Sequence, residues 1–520
     1  MDEEMNLSTA PADPSPAADD LRRRPRFHPR ETLFAWLLLL FGYFFWRVFP
    51  MSQKPVSAAL LLVSIYAFTF LVMLRGRCRF EPASWLVLIS AALALLAALL
   101  WDNRFHSFLC FAYLIAAYAY LVTAVTGCCL EGTWSELLGA DLLRSWIIFP
   151  FSSFGKLFPA LVPPRGKGVG RALLKVLLGL LLAVIPTVVA FALLSFDSRF
   201  LALTEKLFRF ETEDAGWNLL RFHLGIPVAM YIFGLYVSTL AGRQDGASAA
   251  ERVRAKVEKR RILPLLSAAA AVIPLLLVYV LFFISQWEYY VSAFTGILPA
   301  RLGYAEYARD GFFQLCAVAA LNFLVLLGLS RYVRRSFERF RRALCVVVAL
   351  FTLILIATAV SKLWLYVTRF GLSPDRLHAA WFMLLLTILF VLVLIRQFVP
   401  RFKALPLALA VTVSLFLIFA LSGSNRMIAR YNVDRYLSGY AKHVDVSLLS
   451  SLGDDAVADM LRLDAYWNSE NDAPDSHQHE RLQNALRECA AEDRNPWRQT
   501  LSSRRASRLL EESGYLADKG

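Results

Sequence analysis

The chain has 520 residues, of which 58% are hydrophobic and only 18% charged, and its mean hydropathy is +0.50. Soluble domains run at roughly 45–50% apolar, so a soluble class is excluded and a membrane class required. The formal net charge of +14 does not point to nucleic acid, because the basic residues stand in short clusters between apolar runs, where they set orientation and meet anionic lipid headgroups.

Residues 1–31 are acidic, then rich in Pro and Ala, then basic (Arg22, Arg23, Arg24, Arg26, Arg30), with almost nothing apolar to bury. They are expected to form a disordered cytoplasmic tail. The start is too long and too acidic for the n-region of a cleaved signal peptide, and no small-residue cleavage site follows the first apolar run, so the first helix is expected to stay as an anchor.

A helix needs around 20 apolar residues to cross a hydrocarbon core of about 30 Å. Segments of this kind run over 33–49, 56–74, 84–101, 105–125, 172–196, 219–240, 262–286, 311–330, 343–366, 377–399 and 404–422. The expected fold is therefore all-α: a polytopic helical membrane protein with about eleven transmembrane helices in 32–422, followed by a small soluble helical domain in 423–520.

Charge tests the threading. With the N-terminus inside, alternate loops should be basic, and they are: Arg75, Arg77 and Arg79; Lys156, Arg165, Lys167 and Arg171; Arg243 to Arg261; Arg331, Arg334, Arg335, Arg339, Arg341 and Arg342; Arg396, Arg401 and Lys403. The loop around Asp197, Glu205, Glu211, Glu213 and Asp214 is acidic instead. An odd number of crossings puts the C-terminal domain outside.

The connection over 127–170 carries Trp134, Trp146, Phe149, Phe151, Phe154 and Phe158 among small and polar residues, which suits a helix lying among headgroups. The run from Pro163 to Gly170 that follows lacks the GxxxxGK[ST] spacing of a phosphate cradle, and no strand precedes it. Prolines 186, 227 and 274 fall in three successive crossings and are expected to kink them; such breaks shape cavities in transporters, yet proline is also simply commoner in membrane helices. The seven cysteines form no CxxC pair, so neither a disulfide nor a zinc site is expected, and the adjacent Cys128 and Cys129 read as packing. In the tail, helices are expected over 427–437, 456–465 (capped by Asp454 or Asp455), 476–491 and 496–513, beginning with Pro496. His477 and His479 lack a third metal ligand, and no metal or cofactor is expected.

Polar residues inside crossings are costly. On the eighth crossing Glu306, Asp310, Gln314 and Asn322 share one helical face, descending from the outer end toward the midplane. Lys362 on the ninth is the nearest partner in depth, with Arg369 above it. One reading is an outward-open vestibule of Glu306, Arg309, Asp310, Gln314, Asn322 and Lys362 that holds a small polar solute or lipid headgroup. The plainer reading has the carboxylates marking a helix start and Lys362 snorkelling to the surface. His223, midway along the sixth crossing, is expected to pack among aromatics.

The strings YAEYARDGFFQL (304–315), YVTRFGLSPDRLHAAWFMLLL (366–386) and IARYNVDRYLSG (428–439), then DVSLLSSLGDDAV, resemble an uncharacterised family of bacterial multi-pass membrane proteins of unknown function (DUF4173/DUF4153-like). That pattern has a proline near Val457, where Ala458 and Asp459 stand in this chain. The resemblance implies the bacterial cytoplasmic (inner) membrane and no assigned reaction, so no catalytic residue is carried over.

Two functional classes remain. The first is transporter-like or permease-like, moving or binding a small polar or lipidic ligand through the vestibule; the second is a sensor or scaffold whose C-terminal domain docks a protein partner. A membrane-bound enzyme ranks third, because no base, nucleophile and electrophile stand at related depth.

Overall fold

The computed structural model describes residues 27–48, 55–73, 80–161, 213–241, 246–285, 312–399, 401–469, 476–491 and 499–515, with isolated positions between 179 and 199. Among them the chain is helical almost throughout, and the one β contact is an isolated bridge between Leu263 and Val333. Long apolar runs dictate this, since within a bilayer a backbone must close its hydrogen bonds internally. In chain order the helices are α1 (Pro29–Val48), α2 (Pro55–Met73), α3 (Pro82–Leu100), α4 (Arg104–Val125), α5 (Leu138–Leu143), α6 (Phe149–Ser152), α7 (Leu157–Leu161), α8 (Glu213–Ala241), α9 (Gly246–Lys259) and α10 (Leu265–Ser285). There follow α11 (Phe312–Tyr332), α12 (Glu338–Phe370), α13 (Pro374–Phe398), α14 (Ala404–Leu421), α15 (Ser424–Leu437), α16 (Val446–Ser451), α17 (Val457–Ser469), α18 (Ser476–Ala491) and α19 (Leu501–Glu512).

Among the described residues eight helices are long and apolar enough to cross a membrane, α1, α3, α4, α8, α10, α12, α13 and α14, while α2 and α11 carry shorter apolar stretches. These match the expected crossings to within a few residues, except 172–196, nearly all of which lies outside the described residues. The chain is an all-α polytopic membrane protein.

It divides into two compact units, Met1–Trp46 with Ser153–Gly234, and Arg47–Ser152 with Leu235–Gly520. In the first, α1 crosses α8 at two glycines: a Cβ on Gly42 would lie 2.2 Å from the Gly225 carbonyl oxygen. Phe34 packs on Phe233 at 6.2 Å between ring centres, Trp46 Nε1 donates to Leu224 O at 2.7 Å, and Tyr43 Oη donates to Asn218 Oδ1 at 3.1 Å. Small residues let helix backbones close up in this way, in a medium with no hydrophobic drive between helices. Pro227 sits inside α8 without ending it, as Pro274 does in α10; Pro186 lies outside the described residues.

In the second unit α10, α11 and α12 share an apolar core of Ala268, Val272, Ala319, Leu326, Val348 and Ile356. One polar bond chain runs through it. Tyr279 Oη donates to Asn322 Oδ1, Asn322 Nδ2 donates to Thr352 Oγ1 at 2.8 Å, and Thr352 Oγ1 donates to Val348 O at 2.8 Å.

Contacts also sort the loops of this unit by face. Arg254 of α9 pairs with Glu131 at 2.6 Å, Arg396 with Glu136 at 2.8 Å, Lys403 Nζ donates to Trp134 O at 3.3 Å, and Leu263 N donates to Tyr332 O at 2.9 Å. Among the described residues the basic loops of this unit thus meet on one face. The α3–α4 and α12–α13 turns lie at the other, against the C-terminal helices.

The segment after α4 is not one flat surface helix. It is a broken series, α5, a π-helical turn (Arg144–Ile148) and α6, in which the Phe149 amide reaches back to Arg144 O. Pro150, next in line, has no amide to continue an ordinary ladder, which favours a local widening. Trp146 Nε1 donates to Ala116 O at 3.1 Å, nine residues back from the end of α4 or about 14 Å along its axis, so the segment dips beside α4. Its apolar side chains, Trp146, Ile147, Ile148 and Phe151, face outward. Cys128 donates its Sγ to Thr239 O at 2.9 Å and is buried, as is Cys129.

Candidate functional site

Helices α15 to α19 enclose their own core around Ile428, Val433, Leu449, Met460, Leu463, Trp467, Leu486 and Leu510. The sequence expectation for this region needs three corrections. Asp454 and Asp455 do not cap α17; they lie in a 3-10 turn, Gly453–Ala456, ahead of it. An extra helix, α16, is capped by Asp445, whose carboxylate accepts from the Leu448 amide. The last helix begins at Leu501 with Thr500 as its cap rather than at Pro496, which lies outside the described residues. His479 Nε2 meets Asp464 Oδ1 at 2.8 Å, and Tyr515 Oη donates to Asp464 Oδ2 at 2.9 Å, so this histidine stitches α17 to α18. Among the described residues no group of three or more His, Cys, Asp or Glu is placed to hold a metal.

Polar bonds tie this bundle to two hairpin turns of the membrane helices. At the α12–α13 turn, Asn432 Oδ1 accepts from Leu372 N at 3.0 Å, Asn432 Nδ2 donates to Leu372 O at 2.7 Å, and Arg435 donates to Val367 O and Thr368 O at 2.9 and 2.7 Å. Two of the strings that carry the family resemblance, 366–386 and 428–439, are therefore the two sides of one contact.

The α3–α4 turn makes the second tie. Asn103 caps α4 by accepting from the His106 amide at 3.0 Å, and its Nδ2 donates to Asn425 Oδ1 at 3.0 Å and Ser424 Oγ at 3.3 Å. Asn425 Nδ2 in turn reaches Asp102 O at 3.4 Å and Leu452 O at 3.3 Å. Trp101 Nε1 donates to Leu421 O at 3.0 Å, and its ring covers Gly423, where φ is +65° and a Cβ would lie 2.7 Å from the ring. Just inside the helices, His106 and His378 meet Nε2 to Nε2 at 3.3 Å against the Phe419 ring. One ring nitrogen must donate and the other accept, so at least one imidazole is neutral.

Two carboxyls close the tie. The Asp102 amide donates to Asp455 Oδ1 at 3.3 Å, while Asp455 Oδ2 is buried with no hydrogen-bond partner. Burial pushes Asp455 up to about 6; Ser502, the Asp102 amide and Arg426 pull the other way, and the Asp102 carboxylate adds to the rise. Burial likewise raises Asp102, against the pull of Arg104 and the Asp454 amide. A cavity of about 170 Å³ opens beside Asp455, lined among others by Trp101, Arg426, Ser502, Arg505 and Leu509.

Asn103→Ala should lower stability by about 2 kcal/mol, because it removes a helix cap and strands buried polar groups on Asn425. Thermal unfolding of the detergent-solubilised protein measures it; a midpoint equal to wild type would show that the α3–α4 turn is not tied to the bundle.

The vestibule residues fare differently. Glu306, Arg309 and Asp310 lie outside the described residues, as does the side chain of Gln314. Asn322 is fully buried in the chain between Tyr279 and Thr352. Lys362 is half-buried on α12, ten residues from Thr352 and so about 15 Å along the axis from Asn322's level. The structure does not bring Asn322 and Lys362 together. His223 lies beside Phe222 at 5.9 Å between ring centres.

A family described as "Domain of unknown function (DUF4153)" matches residues 88–463. The chain belongs to this family. The matched DUF4153 stretch takes in both turns, the histidine pair and Asp455, and ends within α17, whereas α18 and α19 lie beyond it. No curated protein and no solved structure matches the chain.

Sequence reasoning passed over Asp102, Asn103, His106 and His378, and it read Asp455 only as a candidate helix cap. The available signal was Trp101-Asp102-Asn103, a three-residue polar turn between two full-length crossings, which leaves donors and acceptors at the membrane edge that something must satisfy.

Proposed function

We propose that this DUF4153 protein is a sensor in the bacterial cytoplasmic membrane, with its N-terminus and basic loops in the cytoplasm and residues 423–520 outside, where they engage a ligand or protein partner. The observation that carries this reading is the pair of hydrogen-bonded ties between the C-terminal bundle and the α3–α4 and α12–α13 turns: anything that shifts the bundle bears directly on four membrane helices. Clustered arginine resists translocation, which supports the orientation. A strain lacking the gene, profiled for envelope-stress tolerance and for solute uptake, tests it. A chain ending before Gly423 should insert yet fail to restore stress tolerance, with uptake unchanged throughout; full rescue by that chain removes the reading.

One observation favours transport as a second reading: a half-buried lysine, Lys362, within a crossing, where charge is costly and so tends to mark a pathway. Lys362→Ala should leave insertion and stress tolerance intact under the sensor reading. Under the transport reading it abolishes a solute uptake that the wild type restores.

A further inference from the structure

We infer that the cavity between the end of α3, the Gly453–Ala456 turn and α19 binds the headgroup of phosphatidylethanolamine, its ammonium on Asp455 and its phosphate on Arg426 and Arg505. This deepens the sensor reading by naming its ligand, and rests on it.

Three features of the cavity specify that chemistry. The first is a carboxylate short of donors: Asp455 is 4% exposed, it takes the Asp102 amide on Oδ1 and is bonded by the Ser502 side chain, and its Oδ2 has no hydrogen-bond partner. A buried carboxylate oxygen in that state costs free energy until a donor arrives, and a cationic N–H donor restores the most. The second is opposite charge across a short span, since Arg426 and Arg505 line the same space. Guanidinium groups suit a phosphate. A single small molecule satisfying both ends carries a phosphate and a primary amine a few bonds apart, and the cavity holds several times the room that one water needs.

The third feature is position. Leu100 and Trp101 line the cavity and are the last residue of a membrane-length helix and the one following it. A tryptophan there sits at headgroup depth. Leu501 and Leu509 of α19 complete an apolar side against which a glycerol backbone can rest, and Arg504, Arg505 and Arg508 are exposed along the same helix. Burial raises the Asp455 pKa toward neutrality; a bound ammonium lowers it again and holds the carboxylate ionised.

Native mass spectrometry of the full-length protein in detergent, titrated with phosphatidylethanolamine, phosphatidylcholine, phosphatidylglycerol and free phosphoethanolamine, tests the site. Phosphatidylethanolamine should be retained about tenfold more strongly than phosphatidylcholine, whose quaternary nitrogen donates no hydrogen bond. Asp455→Asn should erase that preference while thermal stability at neutral pH holds or rises, so unfolding cannot account for the loss. Arg505→Gln should weaken retention of both zwitterionic lipids. Equal retention of the two by wild type, or a preference that survives Asp455→Asn, overturns the proposal. Free phosphoethanolamine binding as well as the lipid overturns its membrane source. Lipid binding and stress rescue are scored separately: rescue without lipid preference removes the ligand and leaves the sensor, and the converse removes the sensor.

Discussion

Gly225→Ala should destabilise the purified protein by about 3 kcal/mol, the upper end of what an added methyl costs in a packed interior. Built on Gly225, a Cβ would lie 2.5 Å from the Gly42 carbonyl carbon and 2.7 Å from the Tyr43 nitrogen. Both are backbone atoms, so no rotamer change relieves the clash. The helices must part, and the Trp46 to Leu224 bond and the Phe34–Phe233 contact stretch with them. Gly42→Ala should act alike, because its Cβ meets the Gly225 carbonyl. Gly328→Ala is the control: nothing lies within 4 Å of a Cβ there, and removing a mid-helix glycine should be worth roughly 0.5–1 kcal/mol in the protein's favour. Unfolding midpoints in mixed detergent micelles should therefore move in opposite directions. If the Gly225 and Gly328 variants shift alike, the α1–α8 crossing is not a backbone contact.

The tie between the bundle and the α3–α4 turn should be firmest in acid. Asp455 is held at about 6 in the fold, above its ordinary 3.8, because burial disfavours the charged form. A carboxyl raised in this way contributes its full share below about pH 4 and loses it as the pH rises through about 6. Asp102 shifts in the same direction. The charged groups around the pair, Arg104, Arg426, Arg505 and Asp454, come from α4, α15, α19 and the 3-10 turn. Asp455→Asn should accordingly stabilise by about 2 kcal/mol at pH 7.5 and by nothing near pH 4. Hydrogen exchange at the Asp102 and Asn103 amides across that range reads it directly. Protection that increases with pH would reverse the sign and refute a raised pKa.

What the sequence made legible was whatever depends on local composition. Apolar runs of about twenty residues marked the crossings, because a helix closes its backbone hydrogen bonds within its own segment, and among the described residues the loops of Arg254 and Arg396 meet on one face, through Glu131 and Glu136. What stayed hidden was pairing at a distance. Asn322 looked like a descending polar stripe because periodicity gives its helical face but not the neighbour that face meets, and Tyr279 and Thr352 lie 43 and 30 residues away. Asp102 and Asp455 are 353 residues apart; alone, the first reads as an ordinary loop carboxylate and the second as a helix cap. Pro150 was visible as a proline, but not the contact 30 residues back that Trp146 makes with Ala116.

Helix α12 runs 33 residues, about 50 Å at 1.5 Å per residue, through a hydrocarbon slab of about 30 Å. Its charged collars, Arg342 below and Arg369 above, stand some 40 Å apart, so the rod leans or deforms the lipid around it. Thr352, pinned to Asn322, sits near its midpoint and makes a natural fulcrum. A bilayer that thins or swells would swing the upper arm, and with it Val367 and Thr368, the carbonyls that Arg435 grips.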